Sequence, residues 1–508
     1  MSGANSFDVV IAGGGTSGAA LAGLLVEDHG LRVCLIEAGP DYGPYDPDAW
    51  PPELLNASTL PGESHSWGYS GMAHASHTNP TGFDRARVIG GCSSHNGCIA
   101  LLGHARDYDA WSESGIPGWS FGSVWPSFQR AMKRLRIRQP ADEEITPYQR
   151  LFLEGAQKAG IPQVADLNQP DDVSGVAAAP VNIADGTRWN TALAYLKKEV
   201  RESGSLTILD NAVVERVTLD GDRASGVVIR RNGAEDVITG DRIVLSAGAY
   251  GSPGILERSG IGDPETLEAA GIDVAHALPG VGASLTDHPA VCLKFRGGDD
   301  INAVMSQLRA SGWCPDEQVL AKTRSSRCND AFDLHVYSVS GFNEETGDWE
   351  YEVYVSSVFP RSRGAVHVRS TDPDAAPDID HGFLSEPDGE DIAVLLEGIK
   401  LARSIMQPAL DSGALSEESS PGADVQSEDD LRQFIIGDVG IYYHPSSTCR
   451  MGPSTSSASV VDSLGRVFGV SGLHVCDASI FPVLMRANTN LPAVMIAEHL
   501  APSIAAGR

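Results

Sequence analysis

Three groups of residues in this chain have types and spacings that could do chemistry. Gly13, Gly15 and Gly18 form G-x-G-x-x-G, with Thr16 and Ser17 inside it. In "VIGGCSSHNGCIALLG" (88–103), His95 follows the glycine pair Gly90-Gly91. Near the C-terminus, "YYHPSSTCRMG" (442–452) sets His444 beside Pro445. The first group is a phosphate-binding pattern. Gly13 permits a tight turn, Gly15 lets a pyrophosphate reach the backbone at a helix N-terminus, and Gly18 lets helix and sheet pack closely. Glu37 stands 24 residues after Gly13 (37 − 13), where a carboxylate can hold ribose hydroxyls. A carboxylate there argues against a 2′-phosphate and so against NADP, and leaves NAD and FAD open. The glycines before His95 would let a backbone come close to something, which a histidine does not assist.

The elements that must position these residues follow from periodicity. "FDVVIA" (7–12) is a continuous apolar run, as a buried parallel strand should be. "GGGTSGAALAGLLVED" then has helical spacing, and "RVCLIEAG" (32–39) is a second strand. The three make a βαβ unit. From 205 to 248 the pattern has period two, with turns at Asp220-Gly221 and Asn232-Gly233, a β-meander ending in "RIVLSAGA". Between 301 and 385, "DLHVYSVS", "EYEVYVSSV" and "GAVHVRS" are strands without βα alternation, which predicts a mainly antiparallel sheet. Residues 416–430 are a polar connection ending in a helix start, with Ser427 as N-cap and Asp430 three residues on. The expected fold class is therefore α/β. A Rossmann-like dinucleotide domain is assembled from 1–150, 205–290 and 440–508, and a second lobe on a mainly antiparallel sheet from 151–204 and 291–439.

Composition narrows the partners. The chain has 508 residues, 42% hydrophobic and 20% charged, with 37 Lys plus Arg against 67 Asp plus Glu and a net charge of -30. Such a surface repels nucleic acid and anionic membranes. No apolar run reaches the ~18 residues of a membrane-spanning helix. The N-terminus shows no signal-peptide core, so a cytoplasmic protein is expected, as a monomer or homodimer. The eight cysteines are scattered without C-x-x-C or zinc-finger spacing, which predicts small core residues and no metal site.

Four further segments carry a family resemblance. "RVIGGCSSHNGCIA", "SAGAYGSPGILERSGIG" (246–262), "YYHPSSTCRMG" and "VCDASIFPVLMRANTNLPAVMIAE" (475–498) resemble, in order, the signature and active-site segments of the glucose–methanol–choline oxidoreductases. The resemblance spans essentially the whole chain and is nearest to the choline-oxidising branch, through "GGCSSHN", Asp287-His288-Pro289, "RSRG" (361–364) and His444-Pro445. It implies FAD, held by Gly13, Gly15, Thr16, Ser17, Gly18, Glu37, Gly90, Ser94, His95, Asn96, Gly97, Val214, Ala247, Asp477, Ala478 and Asn488. It also implies that His95 tethers the flavin covalently at its 8α carbon, so that the glycines admit the flavin and the histidine binds it.

The implied chemistry is oxidation of an alcohol to an aldehyde or ketone. A proton must leave oxygen and a hydride must leave carbon for flavin N5. The resemblance assigns His444 as the base. An imidazole accepts a proton near neutral pH, whereas an asparagine only positions the alcohol oxygen. That partner is Asn488, eleven residues after Asp477 (488 − 477) as in the family, with Asn490 as the lesser rival. His335 matches a substrate-side histidine. Three positions depart from the branch. Ala290 replaces a glutamate that faces a quaternary ammonium group, Gly97 replaces a serine, and Tyr442 replaces a small apolar residue where dioxygen approaches. The expected substrate is thus a neutral primary alcohol, ring-bearing or aromatic, or a polyol, with O2 as acceptor. The alternatives are a dehydrogenase using another acceptor and an FAD-containing hydroxynitrile lyase.

Overall fold

The computed structural model describes residues 6–62, 64–169 and 174–507, organised by two large sheets. In chain order their strands are β1 (Ser6–Ala12), β2 (Val33–Ile36), β3 (Gly175–Ala178), β4 (Leu206–Leu209), β5 (Ala212–Asp220), β6 (Arg223–Arg231) and β7 (Ala234–Leu245). They continue as β8 (Pro289–Gly297), β9 (Glu317–Thr323), β10 (Leu334–Asn343), β11 (Asp348–Ser357), β12 (Leu415–Ser420), β13 (Gly440–Ile441) and β14 (Leu473–Val475).

The first sheet runs β4-β2-β1-β7-β6-β5, with β14 also beside β7. The strands β4, β2, β1, β7 and β14 are parallel. Val9, Val10, Ile11 and Ala12 are fully buried, because a parallel sheet is covered on both faces and an all-apolar run is then the stable choice. The helix Thr16–Glu27 returns the chain from β1 to β2 with every residue from Ser17 to Val26 buried. The expected meander is present. β5, β6 and β7 are antiparallel, and Asn232 and Gly233 take the positive φ values (52° and 76°) of a two-residue hairpin turn. Its last strand does two jobs. The first part of β7 pairs with β6, and Ile243–Leu245 then lie between β1 and β14.

The second sheet runs β12-β8-β11-β10-β9-β3, with β13 beside β8, and every pairing is antiparallel. Side chains alternate between its faces. Val291, Leu293, Leu334, Val336, Val353 and Val355 pack with Ile399, Ala402 and Ile405 of the helix Glu390–Asp411 in one core. The alternate residues Ala290, Leu320 and Tyr337 pack instead in the core of the first sheet.

Two sequence expectations are corrected. "GAVHVRS" forms only Gly364–His367, in a separate three-stranded sheet with Ala283–Leu285 and Asp378–Asp380. The start of the polar stretch 416–430 lies within edge strand β12, whose polar residues pair with β8 at Lys294 to Gly297. An edge strand needs no apolar pattern on its open side. The cap at Ser427 is as expected, with its Oγ accepting from the Asp430 N–H at 3.1 Å ahead of the helix Glu428–Asp438. The helix Asp299–Ala310, with Asp299 and Asp300 in its first turn and Arg309 in its last, is an addition to the expected strands. All eight cysteines are free thiols. Among the described residues no helix is long and apolar enough to cross a membrane.

Candidate active site

The second sheet sets out its site-facing residues in rows. Ala290, Ser356 and His335 are direct cross-strand partners in one row, and Cys292, Tyr354 and Tyr337 in the next. Over this face the segment Tyr442–His444 folds back. Tyr443 has a left-handed φ of 63°, uncommon for a bulky residue, and is half exposed, while Tyr442 and His444 on either side of it are buried. Buried Asp287 fixes the turn, its Oδ1 accepting from the N–H of His288 at 2.7 Å and of His444 at 2.9 Å. Burial pushes the Asp287 carboxyl up to about 7, against the pull of the Arg85 charge.

This anchoring brings two histidine rings together. His288 Nδ1 and His444 Nδ1 are 3.0 Å apart, so one must carry the proton and the other accept it. Burial pushes His288 down to about 3 and His444 well below its ordinary value, with His288 and His335 adding to the shift at His444. Both rings are therefore neutral. The Met485 carbonyl lies near the His288 ring without full hydrogen-bond geometry and favours a proton on the side facing it. The consistent assignment places N–H at His444 Nδ1, donating to His288 Nδ1, and leaves His444 Nε2 as a bare acceptor.

Around this acceptor lie polar groups without protein partners. Both ring nitrogens of His335, the Tyr442 hydroxyl and Asn488 Oδ1 are buried and unpartnered among the described residues. The Tyr442 hydroxyl lies beside Asn488 and Tyr337 without full hydrogen-bond geometry. Its ring is 4.4 Å from that of His444 and stacks on Tyr337 at 5.0 Å, which stacks on Tyr354 at 5.2 Å. His335 lies edge-on to Tyr442 at 6.2 Å, and burial holds it well below its ordinary pKa. Asn490 sits elsewhere. It heads the helix Asn490–Ala505, and its Oδ1 accepts from the Thr16 hydroxyl at 3.4 Å. Asn488 is the asparagine beside the Tyr442 hydroxyl.

The nucleotide-site residues converge at the ends of the first sheet. Gly13 has φ 104°, and a Cβ there would lie 2.4 Å from the Ser246 carbonyl oxygen. Gly90 donates to the Gly14 carbonyl at 2.8 Å. The two glycine loops touch backbone to backbone, since a Cβ on Gly91 would lie 2.6 Å from Gly15 Cα. Glu37 is buried at the end of β2 and accepts from the N–H of Gly14 and Gly39, both at 2.8 Å, while burial lifts it to about 7. Val214 lies on β5 opposite Ile229, next to the strand start that Ala212 ties to the Glu37 carbonyl. Asp477 accepts from Gly248, Ser252 and Ser479, which pins Ala247 and Ala478 to one corner. Ser17 and Ser94 spend their hydroxyls on the Ala493 and Ile89 carbonyls, and Asn96 accepts from Cys98 N–H. His95 differs from these. Its ring approaches the Ser64 carbonyl, its Nε2 is buried without a partner, and burial lowers it to about 4. A neutral, unpartnered imidazole nitrogen beside a glycine-lined loop fits the resident group that the fingerprint calls for.

The sequence missed His288, whose only signal was its place between Asp287 and Pro289, and Glu317. A Cβ on Gly97 would lie 1.5 Å from Glu317 Oε1, so this carboxylate occupies the space left by the missing side chain.

Comparison with known proteins agrees with this geometry. Models described as GMC oxidoreductase match residues 7–290 and 360–497. An oxygen-dependent choline dehydrogenase of Pseudomonas savastanoi pv. phaseolicola is 33% identical, over 98% of this chain and 94% of its own. The choline oxidase of Arthrobacter globiformis is 31% identical, over 99% and 95%. The solved structure of pyridoxine 4-oxidase from Mesorbium loti superposes with a TM-score of 0.85 at 29% identity, covering 98% of both chains. With the dinucleotide loop, the second sheet and the histidine pair in these positions, the chain belongs to the GMC oxidoreductases, FAD-binding enzymes that oxidise alcohols.

Proposed function

We propose that this enzyme oxidises a neutral, ring-bearing primary alcohol to its aldehyde, with His444 as the base and O2 as the final acceptor. The supporting observation is the His288–His444 contact at 3.0 Å; with the His444 proton assigned to Nδ1 in that contact, Nε2 is free to take the hydroxyl proton. Asn488, with Oδ1 unpartnered, orients the alcohol oxygen, and His335 and Tyr442 line its approach. Burial keeps both imidazoles neutral before the substrate enters, so the base is ready at neutral pH. FAD, when bound, supplies the two-electron acceptor that takes hydride from the alcohol carbon as the C=O bond forms. His95 offers its bare Nε2 as the covalent anchor for that cofactor. The wall at Ala290 is buried and uncharged, which suits a neutral substrate body; a charged one would lose hydration there without a partner.

A second reading concerns the acceptor. The Tyr442 ring lies 4.4 Å from the His444 ring, over the approach expected for dioxygen, which favours a non-oxygen acceptor. Anaerobic mixing with a panel of primary alcohols tests the main reading. Bleaching of the flavin absorbance is expected, with hydrogen peroxide formed on readmitting air. Bleaching without peroxide favours the second reading, and no bleaching by any alcohol rejects both.

A further inference from the structure

We propose that Glu317 is the specificity-determining group of the substrate pocket, receiving the ring nitrogen of an N-heteroaromatic primary alcohol whose ring lies along the Tyr337–Tyr442 stack. This rests on the alcohol-oxidation reading and names its substrate class.

Position is the first argument. Glu317 opens β9 directly opposite Val339 of β10. Residues 335, 337 and 339 share one face of β10, so Glu317 lies on the face that carries His335 and Tyr337, one row beyond Tyr337. Its carboxylate rests on Gly97, two residues past His95. It is also near enough to raise the hydroxyl pKa of both Tyr337 and Tyr442. It therefore stands between the His95 loop and the tyrosine stack.

Its lack of partners is the second argument. Among the described residues, none donates a hydrogen bond to the Glu317 side chain and none forms an ion pair with it. A carboxylate kept for structure would be satisfied by protein donors, as Asp477 is by three. The Glu317 carboxylate is half-buried, and beside it the Tyr442 hydroxyl and Asn488 Oδ1 are fully buried and unpartnered. Buried polar groups left unpaired are costly unless a ligand completes them.

Charge selects the ligand. Burial, with the neighbouring Asp316 carboxylate, lifts Glu317 to about 7, so the group is reluctant to ionise alone. A weakly basic aromatic nitrogen matches it. Carboxyl plus heteroaromatic nitrogen share one proton, and the pair is net neutral wherever that proton sits. A quaternary ammonium brings no proton and forces Glu317 to ionise. The flat tyrosine faces suit an aromatic ring.

The test compares the isosteric ligands 3-pyridinemethanol and benzyl alcohol as substrates of the holoenzyme. In parallel it compares 3-methylpyridine and toluene as non-reacting ligands by calorimetry. The wild type should favour the pyridine in each pair by at least about tenfold, as expected when a buried polar group loses its partner, in kcat/KM and in Kd. Glu317→Met, which keeps length but not the carboxyl, should bring each ratio near one. Gly97→Ala, which drives the carboxylate out of its seat, should do the same through an unrelated residue. Ratios are unaffected by a general loss of activity. Equal binding of 3-methylpyridine and toluene by the wild type, or a ratio retained in both variants, overturns the proposal. If neither alcohol is oxidised while 3-methylpyridine binds preferentially and the variants lose it, the Glu317 assignment stands and the alcohol reading fails.

Discussion

His288 and His444 face each other through their Nδ1 atoms at 3.0 Å, and the backbone N–H groups of both residues are held by one carboxylate oxygen of Asp287. With the proton of His444 assigned to Nδ1, the contact leaves its Nε2 bare. Replacing His444 by Ala should slow flavin reduction by about 10²–10⁴-fold, the usual worth of a positioned acid–base group, with FAD content retained. His288→Ala should slow it less, by about 10–10²-fold. It should also move the acid limb of the pH profile upward, because the neighbour that helps hold His444 below its ordinary value is gone. Stopped-flow reduction between pH 5 and 9 measures both. A His288→Ala profile identical in shape to the wild type would sink the orienting role.

His95 presents a buried, unpartnered Nε2 beside the glycine loops. The purified protein should stay yellow after acid precipitation, and its intact mass should exceed the polypeptide mass by one flavin nucleotide. His95→Ala should release its FAD on precipitation. A wild-type mass equal to the bare polypeptide contradicts the tether.

Ala290 shares a row with Ser356 and His335, so no carboxylate faces the site there. Choline should therefore be a poor substrate, at least ~100-fold below benzyl alcohol in kcat/KM, because its cation would be desolvated at Ala290 with no carboxylate beside it and Glu317 would have to ionise to serve as countercharge, at a cost of several kcal/mol. Ala290→Glu should narrow that gap. Steady-state kinetics on both alcohols decides, and efficient choline turnover by the wild type refutes the reading.

His367 pairs with Glu257 at 2.6 Å, and Glu257 is fully buried. This contact is the main cause raising the His367 pKa above its ordinary 6.5. A raised folded pKa means the stabilisation is fully present below pH 6.5 and is lost as pH rises through the folded value. His367→Gln should therefore cost about 1.5–3 kcal/mol at pH 6 and clearly less at pH 9. Thermal melts of both proteins across that range test the sign. A penalty that grows with pH would reverse it.

Much of this was legible along the chain because it depends on local order. A tight turn between strand and helix demands Gly13, and buried strands demand runs such as Val9–Ala12. The meander showed in its Asp-Gly and Asn-Gly turns, and the Ser427 cap in its three-residue spacing. The polar strand Leu415–Ser420 was hidden because an edge carries little apolar signal. Local spacing does not record that Asn490 Oδ1 accepts from the Thr16 hydroxyl while Asn488 lies beside Tyr442.

The sequence by itself determined the dinucleotide fold and the family, and it singled out His95 and His444 as candidates, since each lies in contiguous residues whose spacing a single turn or strand enforces. Only the tertiary structure decided which groups stand next to those histidines. His288 reaches His444 across 156 residues of chain, and Glu317 fills the space above Gly97 from the opposite sheet. Such neighbours are set by strand register and by the alternation of faces between two packed sheets, and no local spacing records where distant strands will lie.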